Sequence, residues 1–456
     1  MIFSIEKRIA FVLLIFISGH LYGQTEHLDH KEIRIVFSGE APLLDGVLDD
    51  KVWMDAPVIE DLHQIVPNEF DHPTEDSRIY LIYTKNALYI GARFFDKEPD
   101  KISDNELKQG GYDWGTDGMQ IYIDPLNNGR SGYGFDLNVN GVRNEAIFEN
   151  VTTSNWSWQG IWHGETHIDD KGWVAEIEIP FKTLSFDPNQ DVWGISIGRF
   201  IARKNEWHGW TSRNRDMNPG NFGKLIGMSK AEPGIGLDVV VSSSLSKSKN
   251  FDTNVVFDEV EPAIDVFYKV TPTLTASFTA NTDFSGTRPD SRQINLTRFG
   301  LFFSERRQFF LQDTDIFSFG NIGGDGSSGG MQSSTTFSRV EQESGRPFFS
   351  RRIGLNPEGA VIPLNYGGKL TGRLGDWDIG AMGIRQEGVD LSHEDLFIAR
   401  FSRKVFAESS IGAIFTHGNP GSQLENKLMG IDFRYLNTQL SDGGTLQGSL
   451  WYQQSD

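Results

Sequence analysis

The sequence predicts an all-β protein in two parts, an antiparallel β-sandwich followed by a partial antiparallel β-barrel of the membrane type. Three observations carry that expectation. Short runs alternate apolar and polar residues with a period of two, and turn residues separate them. The 456 residues include 49 glycines and 33 phenylalanines, yet few stretches show the longer repeat of an amphipathic helix. From about Ile235 the texture changes: strongly apolar strands give way to runs with one apolar and one small or polar face.

The chain begins like an exported protein. Lys7 and Arg8 precede the apolar run Ile9–Ile17, which is too short to span a bilayer as a mature helix. Gly23 before Gln24 offers a cleavage point, although Leu21 departs from the small residue usually found two positions earlier. Residues 1–23 are therefore expected to be a signal peptide and 24–34 a linker. Residues 35–228 are expected to form the sandwich and 235–456 the barrel-like domain.

Within the first domain, Asp45-Gly46 reads as a turn, and Leu48 to Trp53 as a helical turn capped by Asp49. RIYLIYTKNALYIGARFFD reads as two strands joined at Lys85-Asn86. The central hairpin follows. Met119, Ile121 and Ile123 alternate with Gln120, Tyr122 and Asp124; PLNNG turns the chain; and Tyr133, Phe135, Leu137 and Val139 alternate with Gly134, Asp136, Asn138 and Asn140. One face is apolar, and the other carries carboxylates, amides and a phenol. With tryptophans nearby in sequence, such a face suits a sugar, whose hydroxyls want planar partners and whose C–H faces stack on rings. Polar-out strands are also the norm in antiparallel sheets, so spacing alone favours a plain solvated face. WVAEIEIPF and VWGISIGRFIA add two further strands.

In the second domain, runs such as Leu274 to Phe284, Trp377 to Glu387, Ser409 to Gly418, Leu428 to Asn437 and Thr445 to Gln454 approach the length of a tilted membrane strand. A soluble domain of many hairpins would read the same way. In RFGLFFSERRQFFLQDTDIFSFG, phenylalanines bracket Glu305, Arg306 and Arg307. The segment fits an interfacial aromatic girdle or a buried Arg–Glu pairing inside a plug equally well. The chain stops at Asp456 directly after a strand-like run, so an incomplete barrel is expected.

A net charge of −20 argues against a nucleic-acid partner, because phosphates would be repelled. The absence of cysteine excludes disulfides, thiolate metal sites and thiol catalysis.

Seven stretches of the front domain resemble the family-9 carbohydrate-binding domain-like group: LLDGVLDDKVW, ALYIGARFFD, DGMQIYIDP, FDLNVNGVRNE, WVAEIEIPFKTL, WGISIGR and FGKL. The back domain is similar to the uncharacterised domain that commonly follows it, domain of unknown function 5916, through DFSGTRPDSRQINLTRFGLFFSERRQFFLQ and PFFSRRIGL. The resemblance implies a jelly-roll-like sandwich, a poly- or oligosaccharide partner, and glycan ends gripped between two tryptophans. Trp114 and Trp210 match those positions, with Trp207 competing for the second. Asp117, Asn138 and Arg143 are the implied polar neighbours. Structural calcium is a further implication, with Asp124 as its candidate ligand. Outer-membrane lipid is the expected surrounding of the back domain.

Other chemistry leaves little trace. His163-Gly-Glu165-Thr-His167 places two histidines on one face, but it is not the HExxH zinc motif and reads as strand and turn. Asp136, Glu145, Glu176 and Glu178 are among many carboxylates that could pair for glycoside hydrolysis, and none stands in a distinctive motif. Met119 would be the haem ligand in an electron-transfer reading, but its inward position on the central strand reads as core. The expectation is an exported, outer-membrane carbohydrate-binding protein of a catabolic system. A glycoside hydrolase and a transport or secretion barrel with an accessory sandwich are the alternatives.

Overall fold

The computed structural model describes residues 31–108, 115–150, 153–156, 158–213, 215–217, 219–234, 236–249, 256–282, 305, 307–320, 322, 345–355, 361–387, 392–406, 408–420, 426–437, 440 and 446–456. The expected signal peptide, Trp114, Arg306, and most of the segments 283–304 and 320–334 lie outside these residues.

The front part is a sandwich of two sheets, formed by strands β1 (Glu32–Arg34), β2 (Val36–Phe37), β3 (Val58–Ile59), β4 (His63–Val66), β5 (Ser77–Tyr83), β6 (Ala87–Phe95), β7 (Gly118–Asp124), β8 (Gly132–Asn138), β9 (Arg143–Asn150), β10 (Thr153–Asn155), β11 (His163–Asp169), β12 (Gly172–Pro180), β13 (Val192–Ile201), β14 (Glu206–Gly209) and β15 (Gly223–Ile226). The first sheet runs β1-β15-β13-β7-β8-β9-β10, with β14 and β4 added beside β13. The second runs β11-β12-β6-β5-β2, with β3 on β5. Most pairings are antiparallel, as expected, but β1 lies parallel to β15 and β2 parallel to β5. The segment that enters the sandwich thus lines an edge of each sheet in turn, and β1 begins inside the stretch expected as linker.

The period-two pattern sorts residues as anticipated. Met119, Ile121, Ile123, Phe135, Ile195 and Ile197 point inward against Leu88, Ile90, Phe94, Trp173 and Ile177 of the second sheet. Each such burial stabilises by roughly 1.5–3 kcal/mol, so this face fixes the strand register.

The LDG stretch has a specific anchor. Glu176 of β12 is buried, and it accepts hydrogen bonds from Asp45 N at 3.0 Å, Gly46 N at 2.9 Å and Trp53 Nε1 at 2.9 Å. Gly46 has φ +82°, and a Cβ there would meet Thr166 and His167 at 3.1 Å. The helical turn that follows, α1 (Lys51–Met54), is shorter than the sequence suggested. Asp50 rather than Asp49 stands at its N-cap, and its carboxylate accepts Leu43 N at 2.8 Å instead of capping the turn.

Among the described residues the back part is a single nine-stranded antiparallel sheet in chain order: β16 (Leu237–Lys249), β17 (Val256–Thr271), β18 (Leu274–Ala280), β19 (Leu364–Leu374), β20 (Trp377–Glu387), β21 (His393–Val405), β22 (Ser409–His417), β23 (Lys427–Asn437) and β24 (Leu446–Ser455). Among the described strands β16 and β24 end the order without pairing to each other, so the sheet is open.

Its two faces differ sharply. One is covered by the segments 307–320, which contains α2 (Gln308–Leu311), and 345–355. Phe309, Phe310, Phe317 and Phe319 pack there on Met382 and Ile398. The buried Arg307 reaches Glu305 at 2.7 Å and the carbonyls of Ile353 and Ser350 at 2.9 Å each. Between the two readings of this phenylalanine-rich segment, the structure has the buried Arg–Glu pairing. The other face exposes Val241, Phe401, Ile431 and Leu450, each more than half accessible.

Candidate functional site

The outer face of the first sandwich sheet, opposite the core, carries a polar row across four strands. Gly198 of β13 lies opposite Gln120 of β7, Gln120 opposite Asp136 of β8, and Asp136 opposite Asn144 of β9. Strand alternation puts these residues on one face because their neighbours Met119, Ile121, Phe135 and Ile197 take the core.

An aromatic cluster borders the row. Tyr122 stacks on Phe222, with ring centroids 6.3 Å apart and planes 4° apart, and meets Phe148 edge-on at 5.4 Å. Phe200, Trp207 and Met217 belong to the same cluster. Glycine is required at 198: a Cβ there would lie 2.7 Å from His208 O and 2.9 Å from Met217 Cε.

Asp136 is the chemically unusual member. Both carboxylate oxygens are buried without a hydrogen-bond partner, as is Gln120 Oε1. Burial pushes the Asp136 carboxyl up to about 8, the neighbouring Gln120 amide draws it down, and Glu145 pushes it up again. At neutral pH the carboxyl is protonated and offers one O–H donor beside acceptor oxygens. A planar amide, a neutral carboxyl and a second amide in one row offer donors and acceptors to a ligand rich in hydroxyls. Unpaired buried polar atoms are costly, and a ligand that completed their hydrogen bonds would remove that cost.

The residues expected from sequence are distributed differently. Trp114 lies outside the described residues. Trp207 borders the row but is 4% exposed. Trp210 is buried in the main core, and its indole N–H donates to Asp61 at 3.0 Å. Asp117 is fully buried at the start of β7, where it accepts Ala202 N at 3.0 Å and burial raises its carboxyl. Asn138 closes the β8–β9 turn by accepting Asn140 N at 3.0 Å and Val142 N at 2.9 Å. Arg143 lies 5.7 Å from the Trp162 ring and donates to the Trp162 carbonyl. Trp210, Asp117, Asn138 and Arg143 each have a structural task at their positions, and among the described candidates only Trp207 adjoins the row.

Asp124 organises the β7–β8 turn, accepting Leu126 N at 3.1 Å and Gly129 N at 2.7 Å, and burial pushes it up to about 6. Calcium takes roughly six to eight oxygens, and this carboxylate, engaged with turn amides, does not fit it. Among the described residues no group of three or more histidines, aspartates or glutamates could hold a metal. His163 and His167 lie on β11 in register with Glu178 and Val174. Met119 is 1% exposed in the core.

Sequence reasoning identified the polar face but singled out neither Gln120 nor Asn144. Gln120 stands between the inward Met119 and Ile121, whereas Asn144, flanked by Arg143 and Glu145, becomes visible only through its register opposite Asp136.

Residues 44–226 match the family described as carbohydrate family 9 binding domain-like, and residues 240–323 match a domain of unknown function, DUF5916. Among solved structures the chain is similar to a family 9 carbohydrate binding module from Caldicellulosiruptor kristjanssonii in complex with cellotriose. The two share 17% identity and a TM-score of 0.32, over 43% of this chain and 93% of that one. A structure of a family 9 module from the same organism in complex with glucose gives 18% identity and a TM-score of 0.32, over 43% of this chain and 95% of the other. None of the curated proteins matches.

Proposed function

We propose that this chain, a family-9-like carbohydrate-binding sandwich followed by the 5916 domain, holds a poly- or oligosaccharide on the polar row of the sandwich and is anchored in the outer membrane by its nine-stranded sheet. The observation that carries the sugar reading is the in-register row Gln120–Asp136–Asn144, with the unpartnered carboxyl of Asp136 at its centre. Saccharide hydroxyls both donate and accept, so one ligand type meets the neutral carboxyl and both amides, while the bordering rings suit sugar C–H faces. The row contains a single carboxyl, a composition that supports capture rather than cleavage, since glycoside hydrolysis ordinarily uses a pair.

The membrane reading rests on the open face of the nine-stranded sheet. Along β17 to β24 that face presents Val266, Phe278, Leu370, Phe401, Ile411, Ile431 and Leu450, with Arg385, Asp395 and Arg403 near the sheet ends, while Lys369, Thr371, Arg400 and Asp432 turn to the covered face. Apolar-out alternation in strands of this length is the pattern of lipid-facing barrel strands. An exported glycan binder in that location would serve a carbohydrate-catabolic system.

Two measurements test the proposal. The full chain in detergent, screened against a panel of poly- and oligosaccharides, should bind at least one, and Gln120→Ala and Trp114→Ala should weaken that binding. Fractionation of the envelope should recover the chain in the outer membrane, with a band whose gel mobility shifts on heating. Silence across the panel removes the sugar reading, and a freely soluble product removes the membrane reading.

A further inference from the structure

We infer that the sandwich sits on the periplasmic side of the outer membrane, seated against the short-turn end of the nine-stranded sheet. The inference rests on the membrane reading proposed above and concerns which side of the bilayer presents the captured glycan.

The sheet has two unlike ends. At one, β17 joins β18 through 272–273, β19 joins β20 through 375–376, and β21 joins β22 through 406–408, with 438–445 as the fourth link. At the other end the links are 250–255, 281–363, 388–392 and 418–426, every one longer than those three. Outer-membrane barrels keep short turns on the periplasmic side and longer loops outside.

The sandwich meets the first end. Lys269, at the end of β17, donates to the carbonyls of Lys182 at 3.1 Å and Leu184 at 2.7 Å. Lys404, at the end of β21, donates to Asn128 O at 3.1 Å. Arg130, on the β7–β8 turn, pairs with Asp378 at the start of β20 at 3.8 Å. Arg213 donates to the carbonyl of Leu440, in the fourth link. The chain also enters the sheet there, since Leu237 at the start of β16 lies opposite Tyr268. Four separate contacts and the connecting segment agree on one end, and the turn lengths assign that end to the periplasm.

The chain contains no cysteine, so single introduced thiols report sidedness without background. Met54→Cys marks the sandwich at a side chain 78% exposed and clear of the polar row. Ser392→Cys marks an exposed residue immediately before β21, at the opposite end. The full-length variants are exported in diderm cells and treated with a membrane-impermeant maleimide before and after outer-membrane permeabilisation. The inference expects Ser392→Cys to label in intact cells and Met54→Cys to label only after permeabilisation. Labelling of Met54→Cys in intact cells, or of neither site, overturns it while leaving a membrane-embedded chain in place. Recovery of the chain in the soluble envelope fraction overturns the membrane reading itself, and the inference falls with it.

Discussion

Gln120 and Asp136 face each other across the β7–β8 ladder, and Gln120 Oε1 and both Asp136 oxygens are buried without a partner. A core residue in that condition would be a defect; on the outer face of a sheet, beside an aromatic cluster, it is an arrangement that a polar ligand completes.

The Asp136 carboxyl sets a pH dependence. Its folded value of about 8 stands above the roughly 3.9 of an unfolded aspartate, so the folded state holds more protons between them. Stability should therefore fall as pH rises from about 4 to about 8 and level off above that range. Asp136→Asn should flatten this slope and raise stability at pH 8, on the order of a few kcal/mol. Denaturant melts of both proteins across that range check it.

Glu176 holds the LDG turn through three donors. Glu176→Ala leaves those donors unpaired and should cost roughly 3 kcal/mol. Chemical unfolding followed by tryptophan fluorescence measures the loss.

Arg307 and Glu305 form a buried pair under the phenylalanine-rich segment. Arg307→Met removes the cation from the buried Glu305 carboxylate and the donors from two carbonyls, and should destabilise the back domain by about 3–5 kcal/mol. The double variant Arg307→Met with Glu305→Gln should recover part of that, which a double-mutant cycle of unfolding free energies reads directly.

Ile431 lies midway along β23 on the open face and is 62% exposed. Ile431→Arg should destabilise the chain in lipid by about 2–4 kcal/mol, the cost of a basic side chain near the bilayer midplane. Folding equilibria in liposomes against a Ser392→Arg control on the 388–392 link check it.

Much of the fold was legible from alternation alone. The hairpin from Gly118 to Asn138 and the strands at 377–387 and 428–437 follow from period-two patterns and turn residues. Long-range partners were not legible. Nothing local says that Glu176 will meet Gly46 and Trp53, or that Arg307 will turn back to Glu305 rather than toward lipid. The candidate site was half visible: alternation shows that Asp136 points away from Phe135, but only strand register shows that Gln120 and Asn144 flank it. The parallel pairing of β1 with β15 brings together residues far apart in sequence, and no periodicity announces it.

The most direct test of the central claim is calorimetric titration of the full chain with the saccharide it binds best. Wild type is compared with Gln120→Ala, Asp136→Ala and Glu178→Ala, the last removing a carboxylate of the second sheet that bonds Tyr89 at 3.1 Å. The polar row predicts that the first two lose roughly tenfold or more in affinity, the scale of one lost hydrogen bond to a desolvated group, while Glu178→Ala matches wild type. Equal affinity in all four proteins would contradict it.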